Sequence, residues 1–180
     1  VARCAPRLAG AMSNITVSLP DGSARELPEG STAGDLAASI GRGLAKAAVA
    51  AVVDGTETDL TRPLADGSTV AIITDSTPEG RHVLRHSTSH VMAQAVTRLF
   101  PGAKYSIGPA IENGFYYDFE FPEDVKITDA ELPAIEEAMR RHIKADEKFE
   151  RRDVPVSEAI EIFRAQDENF KVELIEDLIE

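Results

Sequence analysis

His86 and His90 stand four residues apart inside one stretch, Arg81 to Phe100, and that stretch constrains the chain more than any other. Leu84, Val91, Met92, Ala95, Val96 and Leu99 recur at spacings of three and four, which predicts an amphipathic helix. On such a helix His86 and His90 point the same way, one turn apart. One rigid element then presents two imidazoles, which suits a metal site or a proton-handling site. The same spacing also serves histidines that are only hydrogen-bonded structural groups, and spacing alone leaves both readings open. Ser87, Thr88 and Ser89 fill the gap with small hydroxyls, poor helix formers but good hydrogen-bonding groups. Tyr105-Ser106-Ile107-Gly108-Pro109 and a Gly-Phe-Tyr-Tyr-Asp run from Gly114 to Asp118 follow.

The residues before this helix alternate differently. Ile15, Val17 and Leu19 alternate with polar residues, as in a strand with one buried face. Pro20 to Ser23 is a turn signal, which predicts a hairpin partner over 25–27. Ser31 or Thr32 is placed to cap a helix with the apolar face Leu36, Ala37 and Ile40, ended by Gly41 to Gly43. A short helical turn over 44–47, a buried strand over 49–53, turns at Asp54-Gly55 and Ala65 to Gly67, and a strand over 69–74 complete the order. This pattern predicts a β-grasp domain, one helix across a small mixed sheet. No Gly-rich loop ends in Lys-Ser or Lys-Thr, so GTPase chemistry is excluded. Asp75 to Gly80 is polar and broken by Pro78, and reads as a linker.

After the histidine helix, 104–111 and 114–121 read as two strands joined through Asn113-Gly114, the favoured tight-turn pair. Phe115, Tyr117 and Phe119 share one face, with Tyr116 and Asp118 on the other. Core packing explains most of these aromatics, and Tyr117 is singled out as a pocket wall. Thr128 and Glu131 have capping-box spacing, and Leu132, Ile135, Met139 and Ile143 form the stripe of the next helix. His142 adjoins that stripe without ligands at suitable spacing and reads as structural. A strand over 149–154 and a helix capped by Ser157 through Phe163 precede Glu168-Asn169-Phe170-Lys171-Val172. The apolar Leu178-Ile179 ending suggests a domain cut short.

Charge separates the two halves. Residues 1–119 carry net −2 and residues 120–180 net −10. The second half would repel a phosphate backbone, which excludes a broad nucleic-acid surface there but not a local contact. No apolar run reaches the length of a membrane span. The single Cys4 has no internal partner for a disulfide, which suits a reducing cytoplasm. Residues 1–12 do not continue the pattern and read as a leader or as a start placed upstream of Met12.

The His-x-x-x-His helix followed by Ile-Gly-Pro-Ala-Ile-Glu-Asn-Gly-Phe-Tyr-Tyr-Asp-Phe resembles the amino-terminal editing domain of bacterial threonyl-tRNA synthetases, part of a threonyl/alanyl-type family. The segment from Ile15 to Thr74 resembles the small ubiquitin-like TGS domain that opens the same enzymes and recurs in certain GTPases and stringent-response enzymes. The resemblance implies an α+β chain. A β-grasp domain occupies 13–75, a linker 76–80, and the first part of an editing domain 81–180, its central histidine-bearing helix on an antiparallel sheet. It implies catalytic roles for His86, His90 and Lys171, and substrate contacts from Tyr117 and Gly108. It also implies hydrolysis of seryl-tRNA(Thr), with the 3′ end of tRNA(Thr) as partner and a homodimer for the complete enzyme. Zinc at His86 and His90 would need the family's downstream Cys-x-x-x-His, which these residues lack. ATP and a further zinc belong to the family's aminoacylation domain, also absent from these residues. A free-standing editing hydrolase and a non-catalytic binding or regulatory module are the alternatives.

Overall fold

A computed structural model describes residues 13–147 and 151–179, in two compact units, Val1–Leu84 and Arg85–Glu180. The expected leader, residues 1–12, lies outside the described residues.

The first unit opens with an antiparallel hairpin, β1 (Asn14–Ser18) and β2 (Ala24–Pro28). Its turn is locked by Asp21, whose carboxylate accepts from the Ser23 amide and hydroxyl. Helix α1 (Ala33–Ile40) starts at Thr32 in a reciprocal capping box. The Thr32 hydroxyl accepts from the Asp35 amide, and the Asp35 carboxylate accepts from the Thr32 amide. Leu36 and Ala37 are buried, but Ile40 of the expected face is 37% exposed because it lies in the last turn, beyond the sheet's cover. Gly41 closes the helix in extended backbone, while Gly43 lies inside α2 (Arg42–Ala47) and ends nothing.

Strand β3 (Ala48–Val53) is central in a sheet of order β4-β3-β5, with β4 (Thr56–Thr58) and β5 (Val70–Thr74) both antiparallel to it. β4 is too short and too polar to announce itself in sequence. Asp54 and Gly55 both take positive φ, the tight turn that folds β4 back on β3. A parallel bridge between Ser18 and Thr69 joins hairpin and sheet, so the unit is mixed in the sense a β-grasp requires. Ile15, Val17, Leu27, Leu36, Ala51, Leu64 and Val70 form the core under α1.

Helix α3 (Pro78–Leu99) begins three residues earlier than its apolar pattern, so part of the segment read as linker is its first turn. Gly80 is required there, since a Cβ would stand 1.9 Å from the Thr74 carbonyl oxygen. Ser89, Ala93 and Val96 form one buried line, Ala95 is buried on the opposite side, and Leu84 is 42% exposed.

In the second unit the expected pair of long strands is a hairpin broken in its middle. β6 (Lys104–Tyr105) pairs with β9 (Phe119–Glu120), and β7 (Ala110–Ile111) with β8 (Gly114–Phe115). The register changes by one residue between the two pairs, because Ser106 donates to the Asp118 carbonyl and Asp118 donates to that of Ile107. Of the expected face, Tyr117 and Phe119 meet at 5.2 Å with tilted rings, and Phe119 stacks on Phe121 at 5.8 Å.

Helix α4 (Leu132–Ala145) starts one turn after Thr128. The Thr128–Glu131 hydrogen bonds form, but they close a turn ahead of the helix. Its buried line is Ile135, Ala138 and His142, with Leu132 and Ile143 more than half exposed. His142 reaches Arg98 at 3.1 Å and Glu147 at 3.3 Å.

Residues 151–154 form no strand, and Phe149 and Glu150 of that expectation lie outside the described residues. α5 (Val156–Ala165) follows Pro155 with no side-chain cap, and Ser157, the expected cap, lies inside its first turn. α6 (Asn169–Asp177) was not legible as a helix. Among the described residues no helix is long and apolar enough to cross a membrane.

Replacing Thr32 with alanine removes half of the α1 capping box. We expect a loss of about 1 kcal/mol, read as a lower urea midpoint with an unchanged slope; an unchanged midpoint would contradict the capping assignment.

Candidate functional site

Within the second unit, α3, the broken hairpin and α6 bring their polar groups to one place. Ser89 is fully buried, and its hydroxyl lies 2.7 Å from the His86 carbonyl and 3.0 Å from the Gly108 carbonyl. A buried hydroxyl without a partner is costly, so this pair of acceptors fixes the hairpin's irregular centre against the helix. Ala93 and Val96 continue the same face of the helix as Ser89. The helix thus packs through the small Ser89 and Ala93 together with Val96 of the apolar pattern.

Gly108 is glycine for a steric reason. A Cβ there would stand 2.1 Å from the Tyr117 ring, which lies directly on its backbone. From Tyr117 the ring contacts run in two directions. The His90 ring meets it edge-on at 6.3 Å and stacks on His86 at 4.7 Å; Tyr105 meets it at 6.1 Å. Lys171, from the first turn of α6, places its ammonium 4.8 Å from the Tyr105 ring centre and donates to the Ser106 carbonyl. His86, His90, Tyr117, Gly108 and Lys171 therefore belong to one continuous set of contacts. Tyr105, Ser106, Ser89 and Glu168 join them without having been singled out. Glu168 lies three residues before Lys171, a spacing that would have flagged it had α6 been legible.

The electrostatics follow from this packing. His90 keeps an exposed edge, but the covered face lowers its pKa below the usual histidine value, and the charges of His86 and Lys171 push the same way. Burial also lowers Lys171, against the opposing charge of Glu168. Burial raises both tyrosines, with the Glu168 charge adding to it. Glu168 is raised by burial, and one of its carboxylate oxygens is shut off from solvent with no hydrogen-bond partner. Near neutral pH the set holds a neutral imidazole, a desolvated ammonium and two phenols that stay protonated.

That set suits water orientation and proton transfer beside a polarised carbonyl. It does not fit zinc. Zinc takes four ligands in structural sites and three protein ligands in catalytic ones. Two stacked imidazoles stand here, and among the described residues no group of three His, Cys, Asp or Glu side chains gathers to hold an ion. A cleft of about 280 Å³ in the first unit is lined by Asp54, Thr56, Thr58, Arg62 and Ser68 among others.

Two measurements check this geometry. Gly108→Ala should displace the Tyr117 ring and disturb the His90 proton shifts that its edge-on contact produces; an unperturbed spectrum would contradict the packing. His90 should titrate below 6.5 by NMR and move upward in Lys171→Met. The sign for stability follows: the unfolded chain takes up this proton first, so the unit loses stability as pH falls below about 6.5. A His90 titrating at or above the usual value would contradict the burial.

Comparison with known proteins adds an independent line. Residues 15–74 match the TGS domain family. The chain is 58% identical over 167 residues to a threonine–tRNA ligase of Citrifermentans bemidjiense, covering 93% of this chain and 26% of that protein. A threonine–tRNA ligase of Geobacter sp. is 57% identical with the same coverage, and one of Maricaulis maris 50% identical over 166 residues, 92% of this chain and 26% of that protein. The chain spans about a quarter of the length of the curated relatives it matches. Its first unit therefore carries a TGS domain, and over nearly all of its length the chain matches threonine–tRNA ligases.

Proposed function

We propose that these residues are the amino-terminal part of a threonine–tRNA ligase, and that the second unit contributes to a site that hydrolyses mischarged seryl-tRNA(Thr). The single observation that carries this reading is the contact set running from His86 through Tyr117 to Lys171 in a chain 58% identical to such a ligase. The chemical need is plain. Serine differs from threonine by one methyl, which a pocket discriminates by only about 1–3 kcal/mol. A second, hydrolytic site supplies the missing accuracy.

In this reading His90, neutral because its covered face disfavours the charged form, orients a water and takes its proton as the water attacks the ester carbonyl. His86 stacks on it and fixes the ring. Lys171 supplies positive charge to the developing oxyanion or to the tRNA terminus. Tyr117 walls the site, and Gly108 acts by holding Tyr117. Zinc at His86 and His90 would need ligands from beyond these residues, and none of these roles depends on it. ATP-dependent aminoacylation, the partner tRNA(Thr) with its 3′ end, a homodimeric state and a cytoplasmic location belong to the complete ligase.

The test uses that complete ligase with His86→Ala and His90→Ala together. We expect hydrolysis of preformed seryl-tRNA(Thr) to fall at least about 100-fold, with serine accumulating on tRNA(Thr) and threonylation retained. Hydrolysis at the unaltered rate would remove the proposed roles.

A further inference from the structure

Tyr105 has no role in the function above, yet its ring touches the one lysine that function uses. Two contacts hold the Lys171 ammonium: it donates to the Ser106 carbonyl, and it stands 4.8 Å from the centre of the Tyr105 ring. Two successive residues therefore supply both. The backbone carbonyl would be present whatever side chain preceded it; the ring would not.

Lys171 is half-buried, and a neutral carbonyl takes only one of its three ammonium hydrogens. That single bond does not offset the loss of water around a charge. An aromatic face carries the negative part of the ring quadrupole and attracts a cation within about 6 Å of its centre. The Lys171 ammonium lies inside that reach. A ring also occupies no N–H and brings no neutralising charge. Lys104, the residue before Tyr105, gives the contrast, since its ammonium is closed by the Asp167 carboxylate at 2.7 Å. The ring is itself held in place. Tyr105 pairs with Phe119 in the register of β6 and β9, and the Ser106 amide donates to the Asp118 carbonyl at 3.0 Å. Tyr117 meets the Tyr105 ring edge-on at 6.1 Å, and Tyr117 is fixed by the Gly108 backbone and by His90.

We propose that Tyr105 is a positioning residue: its ring face seats the Lys171 ammonium beside the Ser106 carbonyl and leaves the remaining ammonium hydrogens to an incoming oxygen. The relevance to ester hydrolysis rests on the function proposed above; the seat itself does not.

The experiment follows the Lys171 ε-methylene by NMR in the 180-residue chain carrying ¹³C-labelled lysine, with Lys171→Met identifying the signal. Over a ring face its protons resonate upfield of those of the other lysines. Tyr105→Phe should keep that displacement and Tyr105→Leu should abolish it. An undisplaced signal in the unaltered chain, or one that Tyr105→Leu leaves in place, overturns the proposal. If Tyr105→Leu does not fold, fluorination decides, because 3,4,5-trifluorophenylalanine at this position keeps the ring's shape and withdraws charge from its face. Lys171 should then titrate about half a unit to one unit lower than in Tyr105→Phe, and an equal pKa overturns the proposal. The charges of Glu168 and His90 that reach Lys171 are the same in both proteins, so only the ring face differs. These readings require no hydrolytic activity, so they separate failure of the seat from failure of the editing role. In the complete ligase, Tyr105→Leu should slow hydrolysis of preformed seryl-tRNA(Thr) about 2- to 30-fold with threonylation retained, and Tyr105→Phe should restore it. Hydrolysis at the unaltered rate in Tyr105→Leu overturns the positioning role.

Discussion

The second unit depends on one buried hydroxyl. Ser89 is the side chain that lets a helix and an irregular hairpin share a dry contact, because its oxygen reaches both the His86 and the Gly108 carbonyls. A larger residue would hold the hairpin away; alanine would leave the Gly108 carbonyl without this donor. Gly108 in turn must lack a side chain so that Tyr117 can lie on it. Tyr117 supports His90 on one side and Tyr105 on the other, and Tyr105 carries Lys171. Residues more than eighty positions apart in sequence are held together by steps that each follow from the size or polarity of a single side chain.

The first unit was legible because its signals are local. Alternation at Ile15, Val17 and Leu19, the turn at Asp21-Gly22, and Thr32 three residues before Asp35 each specify their own structure within a few residues. What failed there lies at margins: β4 is three residues long, and Ile40 occupies a last turn where nothing covers it. The second unit was legible in its special residues and poorly in its elements. A stripe of large apolar residues was expected to bury α4, but Leu132 and Ile143 are exposed while Ala138 and His142 are covered. Short strands of two residues carry almost no periodicity, and the register change at Ile107 comes from backbone pairing that no side-chain pattern encodes. Lys171 was found by resemblance, whereas its helix and its neighbour Glu168 were not, because Glu168 to Val172 mixes polar and apolar residues without a clear period.

The distribution of charge shapes what the second unit can hold. Its acidity does not stand free beside its bases. Arg98 pairs with Glu147, Lys104 with Asp167, Arg140 with Glu136, Arg151 with Asp153, Arg152 with Glu158 and Arg164 with Glu176. Each such exposed pair contributes little to stability, typically about 0–1 kcal/mol. Together they matter in another way, since they tie up positive groups that would otherwise attract phosphate. Lys171 escapes this pairing because its hydrogen bond goes to a carbonyl, that of Ser106. An ammonium held on a single carbonyl leaves donors for an incoming oxygen, which a closed salt bridge would occupy. The unit is therefore poorly suited to gripping a nucleic-acid backbone over a wide surface.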